Sequence, residues 1–225
     1  MTLTPVAYFR SPLKEKFGTP RQAGLVPGLR GEVVFVPPYD APEAVRGLEG
    51  FDYCWLLWGF SMNRDTDEHL TVRPPRLGGN QRLGVFATRS PYRPNPIGLS
   101  CVKIEAVGEG KIVVSGADLV DGTPVYDIKP YVEYADSRPG ANGGFVDATD
   151  WEKLEVEIPK SLIDKLGEER SKVLVQLLEQ DPRPHYQEDS ERLYGLEFDG
   201  FNVKFKVSCG KVLVISAESI IFARQ

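Results

Sequence analysis

An eleven-residue segment, RSPYRPNPIGL from Arg89 to Leu99, holds three prolines between two runs typical of strands, Val85–Thr88 and Ser100–Ala106. Each proline removes a backbone hydrogen-bond donor and fixes φ, which excludes it from the interior of a sheet. We therefore expect a stiff, extended loop that carries its arginines at fixed positions. Such a loop suits planar anionic or nucleotide ligands, because little ordering entropy remains to be lost on binding.

Short strand patterns recur through the first part of the chain and are separated by turns rich in glycine and proline. GEGK at Gly108–Lys111 predicts a hairpin turn, and a brief helix is expected over Ala41–Leu48. Frequent short strands with such turns favour a closed β-barrel. The predicted strands are Val6–Phe9, Glu32–Val36, Tyr53–Phe60, Leu83–Thr88, Cys101–Val107 and Ile112–Ala117.

The composition changes at Ser137–Gly144, SRPGANGG, which predicts a flexible connector. Beyond it, apolar residues recur at helical spacing after Ser161, and Gly167 is placed to divide that helix in two. Strands are expected at Tyr194–Phe198, Phe201–Val207 and Val212–Ile215. The fold is therefore predicted to be mainly β. We expect a closed β-barrel N-terminal domain over residues 1–140 and a small α+β C-terminal domain over residues 145–225.

Composition excludes several classes of protein. The most apolar stretch, Cys54–Phe60, is far too short to cross a bilayer, and the N-terminus lacks the layout of a signal peptide. The three cysteines form no CxxC pair, so we expect buried thiols. The two histidines lie far apart, so no metal site is expected, and P-loop, GxGxxG and HExxH motifs are absent from the sequence. A cytoplasmic protein without a membrane partner is expected.

Charge is distributed unevenly along this chain, whose net charge is −5. Residues 145–200 contain 15 acidic and 7 basic residues. Between His69 and Ile104 there is no acidic residue, which indicates either a face for an anionic partner or an arginine-rich surface without a ligand. The basic residues of this stretch are Arg73, Arg76, Arg82, Arg89, Arg93 and Lys103.

Four segments mix glycine or proline with arginine, asparagine, glutamine or aspartate. In a barrel such loops can gather at one rim and build a pocket, although each one alone could be a tight turn. These segments are Lys14–Leu25, Arg73–Arg82, Arg89–Leu99 and Asp118–Tyr131.

The chain resembles the TsaA/TrmO family in five strings that follow one another over most of its length. They are SPLKEKFGTPRQAGLV, EAVRGLEGFDYCWLLWGF, VRPPRLGGNQRLGVFATRSPYRPNPIGLS, DLVDGTPVYDIKPY and DPRPHY. The resemblance implies an S-adenosylmethionine-dependent tRNA methyltransferase that acts on the N6 nitrogen of threonylcarbamoyladenosine, beside the anticodon of tRNA-Thr. It also implies a β-barrel with a small C-terminal domain, and a homodimer.

The same resemblance implies the residues that contact the cofactor. The family often has His-Gln where this chain has Ser61-Met62, so at those two positions only backbone contacts are expected to persist. The implied cofactor-binding residues are Pro20, Arg21, Gln22, Ser61, Met62, Arg89, Leu99, Gly116, Ala117, Asp118 and Leu119.

Methyl transfer from a sulfonium requires that donor and acceptor be aligned and that the acceptor N–H lose its proton. Neither histidine lies in the four loop segments, so a carboxylate is the expected proton acceptor. The candidates are Asp121 and Asp127. As alternatives, Asp121 could shape its turn and Asp127 could pair with Lys129.

Several further residues are predicted to act on the RNA. Arg93 is predicted to be one of the catalytic residues, and its guanidinium is predicted to bind RNA phosphate or the threonyl carboxylate. Tyr92 could stack on a base or pack in the protein, and Asn95 could contact a base edge or brace the loop. The predicted substrate-binding residues are Arg73, Arg76, Tyr92, Asn95, Lys129, Arg183 and Tyr186. Two rival functions stay open: a non-catalytic S-adenosylmethionine-binding sensor and a cofactor-free RNA-binding barrel.

Overall fold

A six-stranded barrel dominates the first part of the computed structural model, which describes residues 2–62, 70–74, 77, 81–149, 152–183 and 191–220. The barrel closes in the order β1-β2-β7-β6-β3-β8, and β4 and β5 pair only with each other among the described residues. The strands are β1 Ala7–Arg10, β2 Arg30–Phe35, β3 Tyr53–Gly59, β4 Thr71–Val72, β5 Leu83–Gly84, β6 Ile97–Gly108, β7 Lys111–Ser115 and β8 Pro124–Pro130.

Strand β3 lies between β6 and β8 in the barrel wall, and its side chains alternate between the barrel interior and the outer face. Cys54, Leu56 and Trp58 are buried and point inward, whereas the residues between them face outward and are partly exposed. Antiparallel pairing places Leu56 opposite Ser100 and Trp58 opposite Gly98. Burying each large apolar side chain stabilises the barrel by roughly 1.5–3 kcal/mol.

The second sheet and three helices follow the barrel. The sheet has the order β10-β11-β12-β9, in which β9 runs parallel to β12. Gly167, with φ of 85°, separates α2 from α3. The elements are α1 Glu133–Asp136, β9 Glu155–Glu157, α2 Lys160–Leu166, α3 Glu168–Leu178, β10 Tyr194–Phe198, β11 Phe201–Ser208 and β12 Lys211–Ser219.

The connector between β1 and β2 belongs to both halves of the molecule. Leu13, Val26 and Leu29 lie on this connector, and all three are buried in the apolar core that the second sheet forms with α2 and α3. A separate core fills the barrel. The connector therefore ties the end of the barrel to the C-terminal sheet and helices.

The fold class is confirmed: the protein is mainly β, with a closed barrel and a C-terminal sheet accompanied by helices. The division of the α2–α3 segment at Gly167 is confirmed as well. The domain limits at residues 140 and 145 stay a prediction. No described helix is long and apolar enough to span a membrane.

Three local predictions were wrong. The strand expected over Leu83–Thr88 is the two-residue β5 followed by a 3-10 turn at Val85–Ala87, because Phe86 and Ala87 face solvent and no strand among the described residues pairs with them. The helix expected over Ala41–Leu48 is two 3-10 turns, at Pro42–Val45 and Leu48–Gly50, which Gly47 separates at a φ of 90°. Cys209 is exposed rather than buried, because it forms the turn between β11 and β12.

Candidate functional site

Two loops lie side by side at one end of the barrel. The first is the TPRQAG segment of the β1–β2 connector, residues 19–24, and the second is the GADL segment after β7, residues 116–119. The backbone N–H of Gly24 donates to the carbonyl of Gly116 (2.8 Å), and that of Gly116 donates to the carbonyl of Leu29 (2.9 Å). Gly116 has φ of 76°, a conformation that favours glycine. We call these segments the TPRQAG loop and the GADL loop.

Arg89 joins this pair of loops from the start of the proline-rich segment. Its Nη1 donates to Oε1 of Gln22 at 2.6 Å, and its positive charge acts on Asp118. The guanidinium is exposed, so it presents a cation beside the two loops. The structure therefore brings together Gln22, Arg89 and Asp118, three residues predicted to contact a cofactor.

Asp118 accepts hydrogen bonds from the Ser100 side chain and from the protein backbone. The hydroxyl of Ser100 donates to its Oδ1 at 2.5 Å, and the indole N–H of Trp58 donates in turn to Ser100 Oγ at 2.9 Å. The backbone N–H of Ala23 also donates to the carboxylate. Burial raises the pKa of Asp118 above its ordinary value, while the Ser100 hydrogen bond and the charge of Arg89 act in the opposite direction.

The other predicted cofactor residues differ in what they can offer. Ala117 and Leu119 are buried with the barrel core, so only their backbone groups can face a ligand. Pro20 is buried, and Arg21 donates from Nη2 to the carbonyls of Asp181 (3.1 Å) and Arg183 (3.4 Å). The exposed positions are Ser61, Met62 and Leu99.

The proline-rich loop is stiffened by Arg93 as well as by its prolines. Nη1 of Arg93 donates to the carbonyls of Thr88 (3.0 Å) and Ser90 (3.2 Å) within the same loop. The backbone N–H of Tyr92 donates to Ser90 Oγ at 3.2 Å, and the Asn95 side chain is exposed. These contacts make Arg93 a brace of the loop.

The two candidate proton acceptors have different surroundings. Asp121 accepts hydrogen bonds from Lys14 Nζ (2.7 Å) and from the backbone N–H of Ser11 (2.9 Å), which fasten the β1–β2 connector. Asp127 lies on β8, where Lys129 Nζ is 2.9 Å from its Oδ2. The pairing of Asp127 with Lys129, foreseen as an alternative, is thus present.

The remaining predicted RNA contacts are dispersed. Arg73 is exposed, whereas Arg183 forms a two-pronged ion pair with Asp181 (2.8 and 2.9 Å). Arg76 and Tyr186 lie outside the described residues. Within the described ranges, no group of three or more His, Cys, Asp or Glu residues could hold a metal ion.

Three side chains of interest, those of Ser100, Trp58 and Phe86, were not predicted as functional. In the sequence, Ser100 is typical of a strand start and Trp58 of an apolar core. Their hydrogen bond could not be predicted, because it joins residues 42 positions apart. Phe86 reads as part of a strand, but the structure places it in a 3-10 turn with 78% of its surface exposed. The signal for Phe86 in the sequence is its position within the stretch that lacks acidic residues.

The raised pKa of Asp118 predicts how its contribution to stability changes with pH. The folded protein holds the Asp118 proton more tightly than the unfolded chain, whose ordinary value is 3.8. The stability from this group is therefore present below that value and is lost as pH rises through the raised pKa. We expect the difference in unfolding free energy between wild type and Asp118→Asn to fall as pH rises above 3.8. Urea denaturation across this range measures it, and a difference that stays constant would contradict the assignment.

Comparison with known proteins covers nearly the whole chain. Residues 8–137 match the family model "tRNA-methyltransferase O N-terminal domain", and residues 151–220 match "TrmO C-terminal domain". A protein of Escherichia coli K12 named "tRNA (adenine(37)-N6)-methyltransferase" is 42% identical over 215 residues, which are 90% of this chain and 92% of the relative.

Two relatives from Pseudomonas aeruginosa agree with this match. One, named "Putative S-adenosylmethionine-dependent methyltransferase RcsF", is 44% identical over 202 residues, 87% of each chain. The other is a crystal structure of TrmO, which superposes with a TM-score of 0.82 at 34% identity and covers 97% of this chain and 98% of that chain.

Proposed function

This chain belongs to the tRNA-methyltransferase O family, and we propose that it methylates the N6 nitrogen of threonylcarbamoyladenosine beside the anticodon of tRNA-Thr. It is an S-adenosylmethionine-dependent tRNA methyltransferase, and the related Escherichia coli enzyme is named for position 37 of tRNA. The observation that carries the proposal is the convergence of Gln22, Arg89 and the GADL loop at one end of the barrel.

The chemistry of this site suits S-adenosylmethionine, which supplies an electrophilic methyl group when bound. The exposed guanidinium of Arg89 is a natural partner for the carboxylate of the cofactor. Leu99, which is 56% exposed, offers apolar surface for its adenine ring and methylene groups. The GADL loop offers backbone groups, because the side chains of Ala117 and Leu119 are turned into the barrel.

Asp127 is the proton acceptor that we favour. On the outer face of the barrel, Leu57 pairs with Leu99 on one side and with Asp127 on the other. Adjacent strands lie about 4.8 Å apart, so Asp127 is about 10 Å from Leu99, a residue of the proposed cofactor site. Its carboxylate is 46% exposed, which leaves it accessible to an acceptor nucleotide. Asp121, in contrast, holds the connector in place.

The proposed RNA surface is the basic stretch that surrounds the proline-rich loop. Arg73, Arg89 and Asn95 are exposed, and Arg82 is anchored through its Nε, which donates to Thr71 Oγ1 at 2.9 Å. Guanidinium groups in such a stretch attract the phosphates of tRNA. Arg93 supports this surface by holding the loop rigid.

Transfer of a labelled methyl group tests the proposed function. The purified protein is incubated with labelled S-adenosylmethionine and either threonylcarbamoylated tRNA-Thr or an unmodified transcript of the same sequence. We expect transfer to the modified tRNA only. Equal transfer to both would overturn the proposed acceptor. Cofactor binding without transfer would favour a sensor, and no cofactor binding would favour a plain RNA-binding barrel.

Phe86 is expected to stack on an unpaired base of the tRNA. The ring is 78% exposed, on a turn between Arg82 and Arg89. Stacking of a base on an aromatic side chain contributes about 1–3 kcal/mol, so Phe86→Ala should raise the KM for tRNA about tenfold. Phe86→Trp should preserve KM. Steady-state kinetics with Tyr134→Ala as control tests this, because Tyr134 is an exposed aromatic outside the basic stretch. An unchanged KM would refute the contact.

The assembly and cellular location complete the proposal. We propose a homodimer, as the family resemblance implies, and a cytoplasmic location, as the composition suggests. The chain is proposed to be divided into domains at residues 140 and 145. We propose that Arg183 and Tyr186, in the DPRPHY string, contact the pocket of the second subunit. Light scattering measures the assembly, and a monomer at working concentration would contradict it.

A further inference from the structure

A line of hydrogen bonds runs from the barrel core to the two loops of the proposed cofactor site. Trp58 donates from its indole nitrogen to Ser100, and Ser100 donates to Asp118. In the TPRQAG loop, the backbone N–H of Ala23 acts on the same carboxylate, and that of the next residue, Gly24, donates to the carbonyl of Gly116 at 2.8 Å. Asp118 itself belongs to the GADL loop, so its carboxylate is the point at which the two loops and the barrel wall meet.

We propose that Trp58 and Ser100 are positioning residues for the cofactor, because they hold Asp118 where it fixes Ala23 and with it the TPRQAG loop. The inference rests on the proposed function in one respect, namely that S-adenosylmethionine binds between the TPRQAG and GADL loops. It adds two residues of the barrel interior to the groups on which cofactor affinity depends.

Ser100 is a polar residue within an apolar part of the barrel wall. Ser100 is 2% exposed on β6, and its inward-facing neighbours Leu56 and Val102 are apolar. A buried hydroxyl is tolerated only when it is hydrogen-bonded, and here both of its partners are specific side chains. The hydroxyl therefore accepts the indole N–H of Trp58, a buried donor that needs an acceptor, and at the same time orients Asp118.

Gln22 connects Ala23 to Arg89, the positively charged residue of the proposed cofactor site. Gln22 immediately precedes Ala23, and its side chain accepts a hydrogen bond from Arg89. A shift of Ala23 away from Asp118 would therefore carry Gln22 and weaken the anchoring of Arg89. The line of hydrogen bonds accordingly reaches the guanidinium that we assign to the carboxylate of the cofactor.

The charge state of Asp118 gives this inference a readout that simple packing lacks. Among the described residues, four groups act on this carboxylate: the Ser100 hydroxyl from β6, the Ala23 backbone N–H from the connector, its own backbone N–H, and the charge of Arg89. Each favours the ionised form, against burial, which favours the neutral form. Removal of the Ser100 hydroxyl therefore raises the pKa of Asp118 further.

Isothermal titration calorimetry with S-adenosylmethionine tests the inference on the full chain, independently of methyl transfer. We expect Ser100→Ala to raise the cofactor Kd about tenfold near pH 7, as the loss of one hydrogen bond to a charged group predicts. Affinity should fall as pH is lowered through the pKa of Asp118, and in Ser100→Ala this fall should occur at higher pH. In Asp118→Asn the fall should be absent.

Controls separate this role from a general loss of stability. Ser171→Ala removes another buried serine hydroxyl, which donates to the Gly167 carbonyl at the start of α3, and it should leave Kd unchanged. A wild-type Kd in Ser100→Ala, or an unshifted pH dependence, would overturn the inference. If Ser100→Ala fails to fold, a pH-dependent Kd in Asp118→Asn that matches wild type would overturn it equally. Wild-type protein that does not bind the cofactor would instead overturn the proposed function.

Discussion

Asp127→Asn is expected to lower kcat for methyl transfer about 10²–10⁴-fold, the range that a positioned proton acceptor contributes. The substitution keeps the size of the side chain but removes its capacity to accept the proton of the acceptor nitrogen. The Kd for S-adenosylmethionine should stay at the wild-type value, because Asp127 lies about 10 Å from Leu99 and outside the TPRQAG and GADL loops. Single-turnover methyl transfer together with calorimetry measures both quantities.

Two matched variants make this experiment selective. Glu32→Gln removes a carboxylate that pairs with Lys111 on the barrel wall, at 2.5 Å, so it reports the effect of losing such an ion pair. Asp121→Asn should mainly lower the unfolding free energy, by about 1 kcal/mol, since it leaves the backbone N–H of Ser11 with a poorer acceptor. A kcat that falls in Asp121→Asn and not in Asp127→Asn would reassign the proton acceptor to Asp121.

The sequence predicts the barrel because its strands alternate clearly. Val102 and Ile104 alternate with Lys103 and Glu105, and that stretch lies within β6 as expected. The same reasoning missed β8, because the string DLVDGTPVYDIKPY is rich in turn residues. The strand forms there because β1 and β3 both pair with it, and such pairing between distant segments leaves no periodicity in the segment itself.

The proposed cofactor site was predictable only in part, because several of its contacts join residues that lie far apart in the sequence. The resemblance places Gln22, Arg89 and Asp118 together, and the structure does bring them into one site. Ser100 and Trp58 escaped prediction, because which buried polar groups meet depends on the register of β3 against β6. The partners of Asp121 escaped for the same reason: Lys14 is 107 positions away in the chain. Contacts of that range follow from barrel closure and are not encoded in local spacing.

Gly98→Ala is expected to destabilise the protein by about 3 kcal/mol, at the upper end of the usual cost of overpacking. A Cβ on Gly98 would lie 2.3 Å from the Trp58 ring, which faces it directly across the β3–β6 pair. The ring has little room to yield, because it is 6% exposed and packs edge-on against Phe60 with 4.4 Å between ring centroids. Urea denaturation followed by far-ultraviolet circular dichroism measures the loss.

A second substitution and a control show whether the indole is the cause. Trp58→Phe in the Gly98→Ala background shortens the side chain, so the double variant should lose less than the sum of the single losses. Gly50→Ala is the control, because its Cβ would meet no atom within 4 Å. Gly98→Ala should also weaken cofactor binding, since a displaced indole no longer donates to Ser100. Wild-type stability in Gly98→Ala would mean that the β3–β6 wall adapts to the added methyl group, and the link from Trp58 to the cofactor loops would then be looser than the hydrogen bonds indicate.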